Sequence, residues 1–328
     1  MTIDFHAHWL PPALADALKQ RQTPPRIDAK ARKLHMPVGP LPFDSSYSDL
    51  PARLRQMDAQ GVSMQVLSLP CLFGLDSLPL AEALPLLRLF NEATAQAVAQ
   101  FPGRFAGLAS LPFDDIDKAA QEYRHARRAL GLLGAIIPAN YFTSITQAKT
   151  LKPLLDMADQ EGGHLFLHPG QCADEVGTTT GSHYPDSAMP RRQLDIQHQM
   201  SAAMVTLLWG EVLNKYQGFT LHVANMGGTL PLVVERMDYT SKLRTREPVL
   251  PSKRLREGSV MVDCSSMGPF AISAAVKCFG AENILFGSDA PIYRSDWQLE
   301  AITHADIAEP EREAILWENG ERILQCNV

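Results

Sequence analysis

The sequence predicts an α/β fold in which eight parallel strands close into a (β/α)8 TIM barrel. Short apolar runs typical of strands alternate with longer amphipathic segments, and eight such pairs fit into 328 residues. Strands that are apolar along nearly their whole length are typical of parallel sheets, because helices cover both faces of such sheets. We therefore expect one barrel domain over residues 1–328 rather than two smaller domains.

The expected strands follow one another at intervals that leave room for a helix between neighbours. They cover residues 3–8, 63–69, 105–111, 134–137, 164–168, 219–223, 259–263 and 284–289. Helices are expected over residues 80–101, 116–130, 147–161 and 200–216. Pro51 and Gly61 suit the first turn and the end of a further helix.

Two long segments without a clear period follow the first and fifth strands. Residues 21–48 are rich in proline, and residues 170–192 contain glycine, threonine, serine and proline. We interpret both segments as loops. Loops of this length inside compact domains are more often functional than not.

Charge and composition exclude several classes of function. The formal net charge of -6 argues against nucleic acid as a partner. No apolar run approaches the roughly 18 residues of a membrane helix, so no membrane partner is expected. The sequence contains neither a phosphate-binding glycine motif nor a GxSxG motif. Five scattered cysteines without CxxC spacing indicate buried thiols in a reducing compartment, so we expect a cytoplasmic protein.

Four residues at the ends of predicted strands are of metal-ligating types. His6 and His8 end the first strand and point the same way, because they are two residues apart. His168 ends the fifth strand and Asp289 the eighth, where barrel enzymes gather their chemistry. Individually, the histidines can be incidental or core residues, and Asp289 can be a helix cap before Pro291. Together they predict a site for one divalent ion, with zinc favoured and manganese or iron as alternatives.

Six longer motifs extend over nearly the whole chain. They are DFHAHWLPP at 4–12, ARLRQMDAQGVSMQVLSLP at 52–70, FPGRFAGLASLP at 101–112, LFLHPG at 165–170, ANMGGTLPLVVERMD at 224–238 and LFGSDAP at 285–291. The set resembles the amidohydrolase superfamily, in its branch of aminocarboxymuconate-semialdehyde and resorcylate-type decarboxylases. The resemblance implies that His6, His8, His168 and Asp289 bind the metal ion.

The resemblance also implies roles for two arginines. Arg53 matches an arginine of these decarboxylases that binds a substrate carboxylate, which a planar guanidinium can hold through two hydrogen bonds. Arg236 matches a second arginine that reaches in from the neighbouring subunit, which implies an active homodimer. Without the resemblance, each would be interpreted as a solvated helix-face arginine that pairs with acidic neighbours.

One position departs from the family pattern. Where these decarboxylases have a histidine that acts as general acid and base, this sequence has Asn225. An amide cannot carry protons near neutral pH, although it can donate a hydrogen bond. By strand alternation, His222 is expected on the opposite face, behind the barrel wall. His183, Tyr184 and His198, in or after the second long loop, are alternative proton carriers.

The favoured function is a metal-dependent decarboxylase that acts on a small, acidic, aromatic or ring-cleavage compound. In this interpretation Arg53 and Arg236 bind a carboxylate of the substrate. Asn225 offers a hydrogen bond, and Asp289 or a residue of the second long loop transfers the proton.

A hydrolase of the same superfamily, which cleaves an amide, lactone or carbon–carbon bond, is the main alternative. Asn225 favours it, because hydrolysis can proceed with Asp289 as the sole base. A third possibility is an inactive ligand-binding barrel. At the end of the seventh strand, Asp263 is expected either to support a metal ligand from behind or to line the pocket as an acid, and Cys264 is expected to be a buried thiol.

Overall fold

Eight parallel strands form the centre of the molecule. The computed structural model describes residues 1–175 and 188–327. The strands of this part are β1 (Ile3–His8), β2 (Arg26–Asp28), β3 (Lys33–Met36), β4 (Gly39–Pro42), β5 (Met64–Ser68), β6 (Phe105–Ala109), β7 (Gly134–Pro138), β8 (His164–His168), β9 (Thr220–Val223), β10 (Val260–Asp263) and β11 (Ile284–Leu285). The sheet order β1-β5-β6-β7-β8-β9-β10-β11 contains all eight predicted strands.

Backbone hydrogen bonds join the first strand of this sheet to the segment that follows the last one. The Phe5 N–H donates to the Phe286 carbonyl over 2.8 Å, and the His8 N–H donates to the Ala290 carbonyl over 2.7 Å. The sheet therefore closes on itself instead of ending in two open edges. The predicted (β/α)8 TIM barrel is confirmed.

Helices connect the strands and pack around the barrel. In the described residues they are α1 (Pro12–Gln20), α2 (Leu50–Gln60), α3 (Leu80–Gln100), α4 (Ile116–Arg128), α5 (Ile145–Thr150), α6 (Lys152–Glu161), α7 (Ala188–Trp209), α8 (Leu230–Thr240), α9 (Pro251–Glu257), α10 (Pro269–Phe279), α11 (Ser295–His304), α12 (Glu309–Glu313) and α13 (Asn319–Asn327). As predicted, Pro51 lies in the first turn of α2, and Gly61 ends it in the left-handed conformation. None of these helices is both long and apolar enough to cross a membrane.

The segment after β1 is not the irregular loop predicted over residues 21–48. It contains a small antiparallel sheet in the order β2-β3-β4, and Leu34 and Met36 bury their side chains in the core. The sequence did not predict β4, because Pro40 and Pro42 disfavour a strand. Proline is tolerated in β4 because this strand lies at the edge of the sheet, where a missing N–H interrupts fewer hydrogen bonds.

The second predicted loop, at residues 170–192, lies partly outside the described residues. His183 and Tyr184, two of the alternative proton carriers, belong to the part that is not described. His198 lies on α7, and its side chain is exposed. The helix α7 begins at Ala188, before the predicted start at residue 200.

Two buried histidines, His164 and His222, lie in the barrel interior. Phe166 of β8 contacts His6 of β1 across the barrel, with ring centroids 4.7 Å apart, and His222 stacks on Phe166 at 4.1 Å. The prediction that His222 lies behind the barrel wall is therefore wrong. Strand alternation does not extend to Asn225, because β9 ends two residues earlier and Asn225 adopts a left-handed conformation with φ of 52°.

The buried His164 makes the stability of the barrel depend on pH. Burial lowers the pKa of His164 well below its ordinary value, and the neighbouring His222 lowers it further. Below about pH 6.5 the unfolded chain binds a proton at this imidazole that the folded chain does not bind, so stability falls as the pH decreases. We expect His164→Gln to reduce the loss of unfolding free energy between pH 8 and pH 5.5 by about 1 kcal/mol.

Urea unfolding of the metal-free protein at the two pH values measures this loss. His125→Gln replaces an exposed histidine on α4 and should leave the loss as it is in the wild type. Equal losses in the His164→Gln and His125→Gln variants would contradict the prediction.

Candidate metal centre

The first strand brings two histidines into the barrel interior. Its register with β5 shifts within residues 4–7, which is the mark of a β-bulge. His6 and His8 both point inward at the C-terminal end of the strand, as their spacing predicts. Because the bulge changes the alternation, Phe5 also faces the interior, where its ring packs against His164.

Four side chains converge at this end of the barrel. One ligand-type atom from each of His6, His8, His168 and Asp289 lies within 4.8 Å of the others, and all four residues are buried. Asp289 follows β11 in the left-handed region with φ of 58°, a costly conformation for a residue with a Cβ atom. The structure thus brings together the four residues that the sequence predicts as ligands.

Each imidazole of the cluster is oriented by a hydrogen bond at Nδ1. The partners are Asp263 Oδ2 at 2.9 Å for His6, Ser68 Oγ at 3.0 Å for His8 and the Pro169 carbonyl at 2.8 Å for His168. Carboxylate and carbonyl oxygens accept, and Ser68 Oγ donates its own proton to the Ala7 carbonyl. In the neutral rings the Nδ1 atoms therefore carry the protons, and the Nε2 atoms are left bare.

The bare nitrogens face an oxygen of the Asp289 carboxylate. Asp289 Oδ1 lies 3.2 Å from His8 Nε2 and 3.5 Å from His6 Nε2, and no residue in the described part of the chain donates a hydrogen bond to it. The Nε2 atoms of His6 and His8 are 3.1 Å apart. Lone pairs that face one another in a buried site repel unless a cation lies between them. Three imidazole nitrogens and one carboxylate oxygen fit a single divalent ion.

Burial and neighbouring carboxylates shift the pKa values of the cluster in opposite directions. Burial lowers the pKa of His8 and of His168. Burial would also lower the pKa of His6, but the charges of Asp263 and Asp289 outweigh it and raise this pKa to about 8. Burial would raise the pKa of Asp263, yet adjacent imidazoles hold it well below its usual range. The site therefore keeps negative charge, which favours a cation.

Asn225 is fixed beside the cluster by the segment that follows β10. Its backbone N–H donates to Asp263 Oδ1 over 3.1 Å, and its Nδ2 donates to the carbonyl and the Oγ of Ser265, both over 3.2 Å. The Ser265 carbonyl can only accept, so the amide nitrogen must face it. The donor expected to serve a substrate is thus already used. Among the described residues, no side chain or backbone group donates to Asn225 Oδ1.

Arg53 lies beside the first strand and not within the cluster. Its Nη2 donates to the carbonyls of His8 (2.6 Å) and Ser46 (3.4 Å), and its Nη1 donates to Gln65 Oε1 (3.4 Å). Burial lowers the pKa of this guanidinium to about 10. Arg53 lines a cavity of about 270 Å³, whose lining includes none of the four clustered residues. These contacts support the backbone of His8, and the binding of a substrate carboxylate stays a prediction.

Arg236 lies on an exposed part of α8, so a single chain does not bring it into the cluster. No acidic side chain pairs with it among the described residues. Its predicted role requires a second chain and is not tested by the geometry of one subunit.

Asp263 and Cys264, at the end of β10, are fully buried. Asp263 contacts His6, so it supports a clustered histidine and does not line an open pocket. Cys264 is a buried thiol, as expected, with Sγ 3.9 Å from the Gly287 carbonyl.

Three supporting serines escaped the sequence analysis. Ser68 and Ser265 are described above, and Ser266 Oγ donates to Asp289 Oδ2 over 3.1 Å. All three lie at or just beyond the C-terminal end of a barrel strand. The rule that identified the ligands, applied to hydroxyl side chains, would have found them.

Comparisons with known proteins agree with this architecture. The sequence model of a family described as amidohydrolase matches residues 3–325. A 2-amino-3-carboxymuconate-6-semialdehyde decarboxylase of Dictyostelium discoideum is 26% identical over 255 residues, which cover 76% of this chain and 68% of that protein. A gamma-resorcylate decarboxylase of Polaromonas sp. is 24% identical over 291 residues, which cover 84% and 87% of the two chains.

A solved structure shares the fold. It is that of a dihydroxybenzoic acid decarboxylase from Polaromonas sp. with bound manganese and the inhibitor 2-nitroresorcinol. The match has a TM-score of 0.72 at 21% identity and covers 100% of this chain and 97% of that chain.

Removal of one clustered imidazole should abolish metal binding. His8→Ala deletes a nitrogen that faces both His6 and Asp289, and the loss of one of four donors weakens the site enough for dialysis to remove the ion. We expect elemental analysis to find about one ion per chain in the wild type loaded with zinc or manganese, and close to none in the variant. His198→Ala, which removes an exposed imidazole, should retain the ion. A His8→Ala protein that retains it would contradict the assignment of the cluster.

Proposed function

The chain belongs to the amidohydrolase family, and on this premise we propose that it is a metal-dependent decarboxylase of a small aromatic or ring-cleavage carboxylic acid. The observation that carries the proposal is the buried cluster of three imidazoles and one carboxylate at the C-terminal end of a closed barrel. The two sequence relatives described above, which are named decarboxylases of such acids, support this choice of reaction.

We propose that His6, His8, His168 and Asp289 hold one divalent ion. When bound, this ion would supply positive charge that holds substrate oxygens and stabilises negative charge as the carboxyl group leaves. The nitrogen-rich donor set favours zinc, and manganese is the ion named with the solved relative. Elemental analysis of the protein as purified decides between the two ions.

Loss of carbon dioxide requires a proton for the carbon atom that loses the carboxyl group. We assign the transfer of this proton to Asp289, the most exposed side chain of the cluster at 11%, whose Oδ2 accepts from Ser266. Asp289 would accept a proton from water or from an acidic group of the substrate and deliver it to that carbon atom. Asn225 cannot carry a proton, and we propose that its Oδ1 accepts a hydrogen bond from the substrate and orients it. We propose that Arg53 and Arg236 bind the substrate carboxylate. To do so, Arg53 must give up a hydrogen bond to a backbone carbonyl.

Hydrolysis of an amide, lactone or carbon–carbon bond is the second candidate. Asn225 favours it, because Asn225 cannot carry a proton and a hydrolase can use Asp289 as its sole proton acceptor. Transfer of labelled oxygen from water into the product indicates hydrolysis, and release of carbon dioxide without such transfer indicates decarboxylation.

We also propose a cytoplasmic homodimer in which Arg236 reaches a neighbouring subunit. Leu232, Arg236, Tyr239 and Leu243 recur at helical spacing along one side of α8 and its continuation, so they share a face. The three apolar residues are 63%, 63% and 80% exposed, which is unusual for large side chains unless a partner covers them. The five cysteines are unpaired, in keeping with a reducing compartment.

The direct test of the reaction is release of carbon dioxide. We expect the metal-loaded protein to release it from at least one acid in a panel of hydroxybenzoates and muconate-type acids. His8→Ala, prepared in the same way, should release none. Failure of the metal-loaded wild type to release carbon dioxide from every acid of the panel would refute the decarboxylase proposal.

The proposed dimer can be tested by a charge placed on the apolar face of α8. Leu232→Glu should convert the dimer to a monomer, because a carboxylate loses water when the interface forms. Sedimentation velocity measures the change. Leu194→Glu changes an equally exposed leucine on α7 and should leave the dimer intact. A wild type that sediments as a monomer would rule out the dimer.

A further inference from the structure

Asp263, at the end of β10, is a buried carboxylate surrounded by hydrogen-bond donors. Its Oδ1 accepts from the backbone N–H of Asn225 (3.1 Å), from the backbone N–H of Ser265 (3.0 Å) and from Ser265 Oγ (2.6 Å). Its Oδ2 lies 2.9 Å from His6 Nδ1 and 3.3 Å from His222 Nε2. Four hydrogen-bond donors around this carboxylate stabilise its ionised form, and the His222 ring approaches it without forming a hydrogen bond.

The donors on the His222 side form a chain through the barrel interior. His164 Nδ1 lies 2.7 Å from Thr220 Oγ1, and His164 Nε2 lies 2.6 Å from His222 Nδ1. In one arrangement of protons the Thr220 hydroxyl donates to His164 and His164 donates to His222. His222 then presents its Nε2 proton to the Asp263 carboxylate at 3.3 Å, although the two groups are not aligned for a hydrogen bond.

His6 depends on this anion for its orientation. A neutral imidazole has one proton, and the contact with Asp263 Oδ2 holds that proton on Nδ1, which leaves Nε2 free to bind an ion. His8 and His168 receive the same orientation from the uncharged oxygens of Ser68 and Pro169. Asp263 is thus the only charged partner of a clustered imidazole at Nδ1 in the described part of the chain.

The charges of the site support the same assignment. Asp263 and Asp289 are two buried carboxylates on either side of His6. One divalent cation balances both of them, whereas Asp289 alone would leave a net positive charge in a medium of low dielectric constant. The second carboxylate therefore contributes to binding although it is not a ligand.

We propose that Asp263 is a positioning residue of the metal centre, which fixes the tautomer of His6, balances the charge of the ion and ties both to the Asn225 turn. The proposal rests on the metal site of the proposed function and does not depend on the reaction that the site performs. Asp263 would then change the affinity for the metal ion although it does not bind the ion itself.

The test is a comparison of zinc affinity in two variants with the same chemical change. Asp263→Asn keeps the shape of the side chain but removes its charge, and should weaken zinc binding about 10- to 100-fold in competition with a chelator. Asp4→Asn changes another fully buried carboxylate, which accepts from Gln65, from Ser288 and from the backbone N–H of His6 but contacts no imidazole ring. We expect it to weaken binding less than about 3-fold.

Two outcomes would overturn the proposal. One is a folded Asp263→Asn protein that binds zinc as tightly as the wild type. The other is an Asp4→Asn protein that loses affinity to the same extent, because the effect would then belong to any buried carboxylate. Circular dichroism of both variants establishes that they are folded.

If Asp263→Asn does not fold, the zinc-loaded wild type provides a second measurement. Nuclear magnetic resonance of protein with labelled histidines resolves the Nδ1 protons of the three clustered imidazoles. The proton of His6, shared with a carboxylate, should resonate further downfield than those of His8 and His168, which meet uncharged oxygens. Similar resonances for all three would overturn the proposal. Neither measurement uses a substrate, so failure to detect carbon dioxide release would leave this result unaffected.

Discussion

The burial of negative charge inside the barrel is the constraint on which the rest of the site depends. Asp263 is fully buried, Asp289 is 11% exposed, and both carboxylates approach His6. An anion in such a place is stable only with donors or cations around it. The surrounding imidazoles, serines and backbone N–H groups meet this need for Asp263, and a bound cation would meet it for Asp289.

The strand ends supply the geometry that this arrangement requires. The bulge in β1 allows Phe5 and His6 both to face inward, so one strand contributes to the core and to the site. Asn225, Met226, Ser266 and Asp289 have positive φ angles, and all follow barrel strands at the same pole. Left-handed conformations cost conformational free energy in residues other than glycine. They persist where the surrounding packing and hydrogen bonds compensate for that cost. The closed barrel provides that rigidity, and the site gains side chains at fixed positions.

Asn225 shows how a substitution in the expected catalytic position is accommodated. Its amide nitrogen bonds Ser265, and its backbone bonds the same carboxylate that orients His6. The residue is thus integrated into the supporting network of the metal centre instead of being an isolated replacement. Arg53 is similar, because its guanidinium holds the carbonyl of His8. Asn225 and Arg53, which were expected to contact a substrate, therefore also help to hold the clustered histidines in position.

The sequence by itself determined the eight strands, the closed barrel and the four clustered ligands, because periodicity and position at a strand end are local properties that a barrel converts into proximity. The edge strand that contains Pro40 and Pro42 and the inward direction of His222 were decided only by tertiary structure. So was the contact between His6 and Asp263, which are 257 residues apart. Strand alternation predicts a face only within a regular strand, and bulges, left-handed turns and barrel closure determine which distant side chains meet.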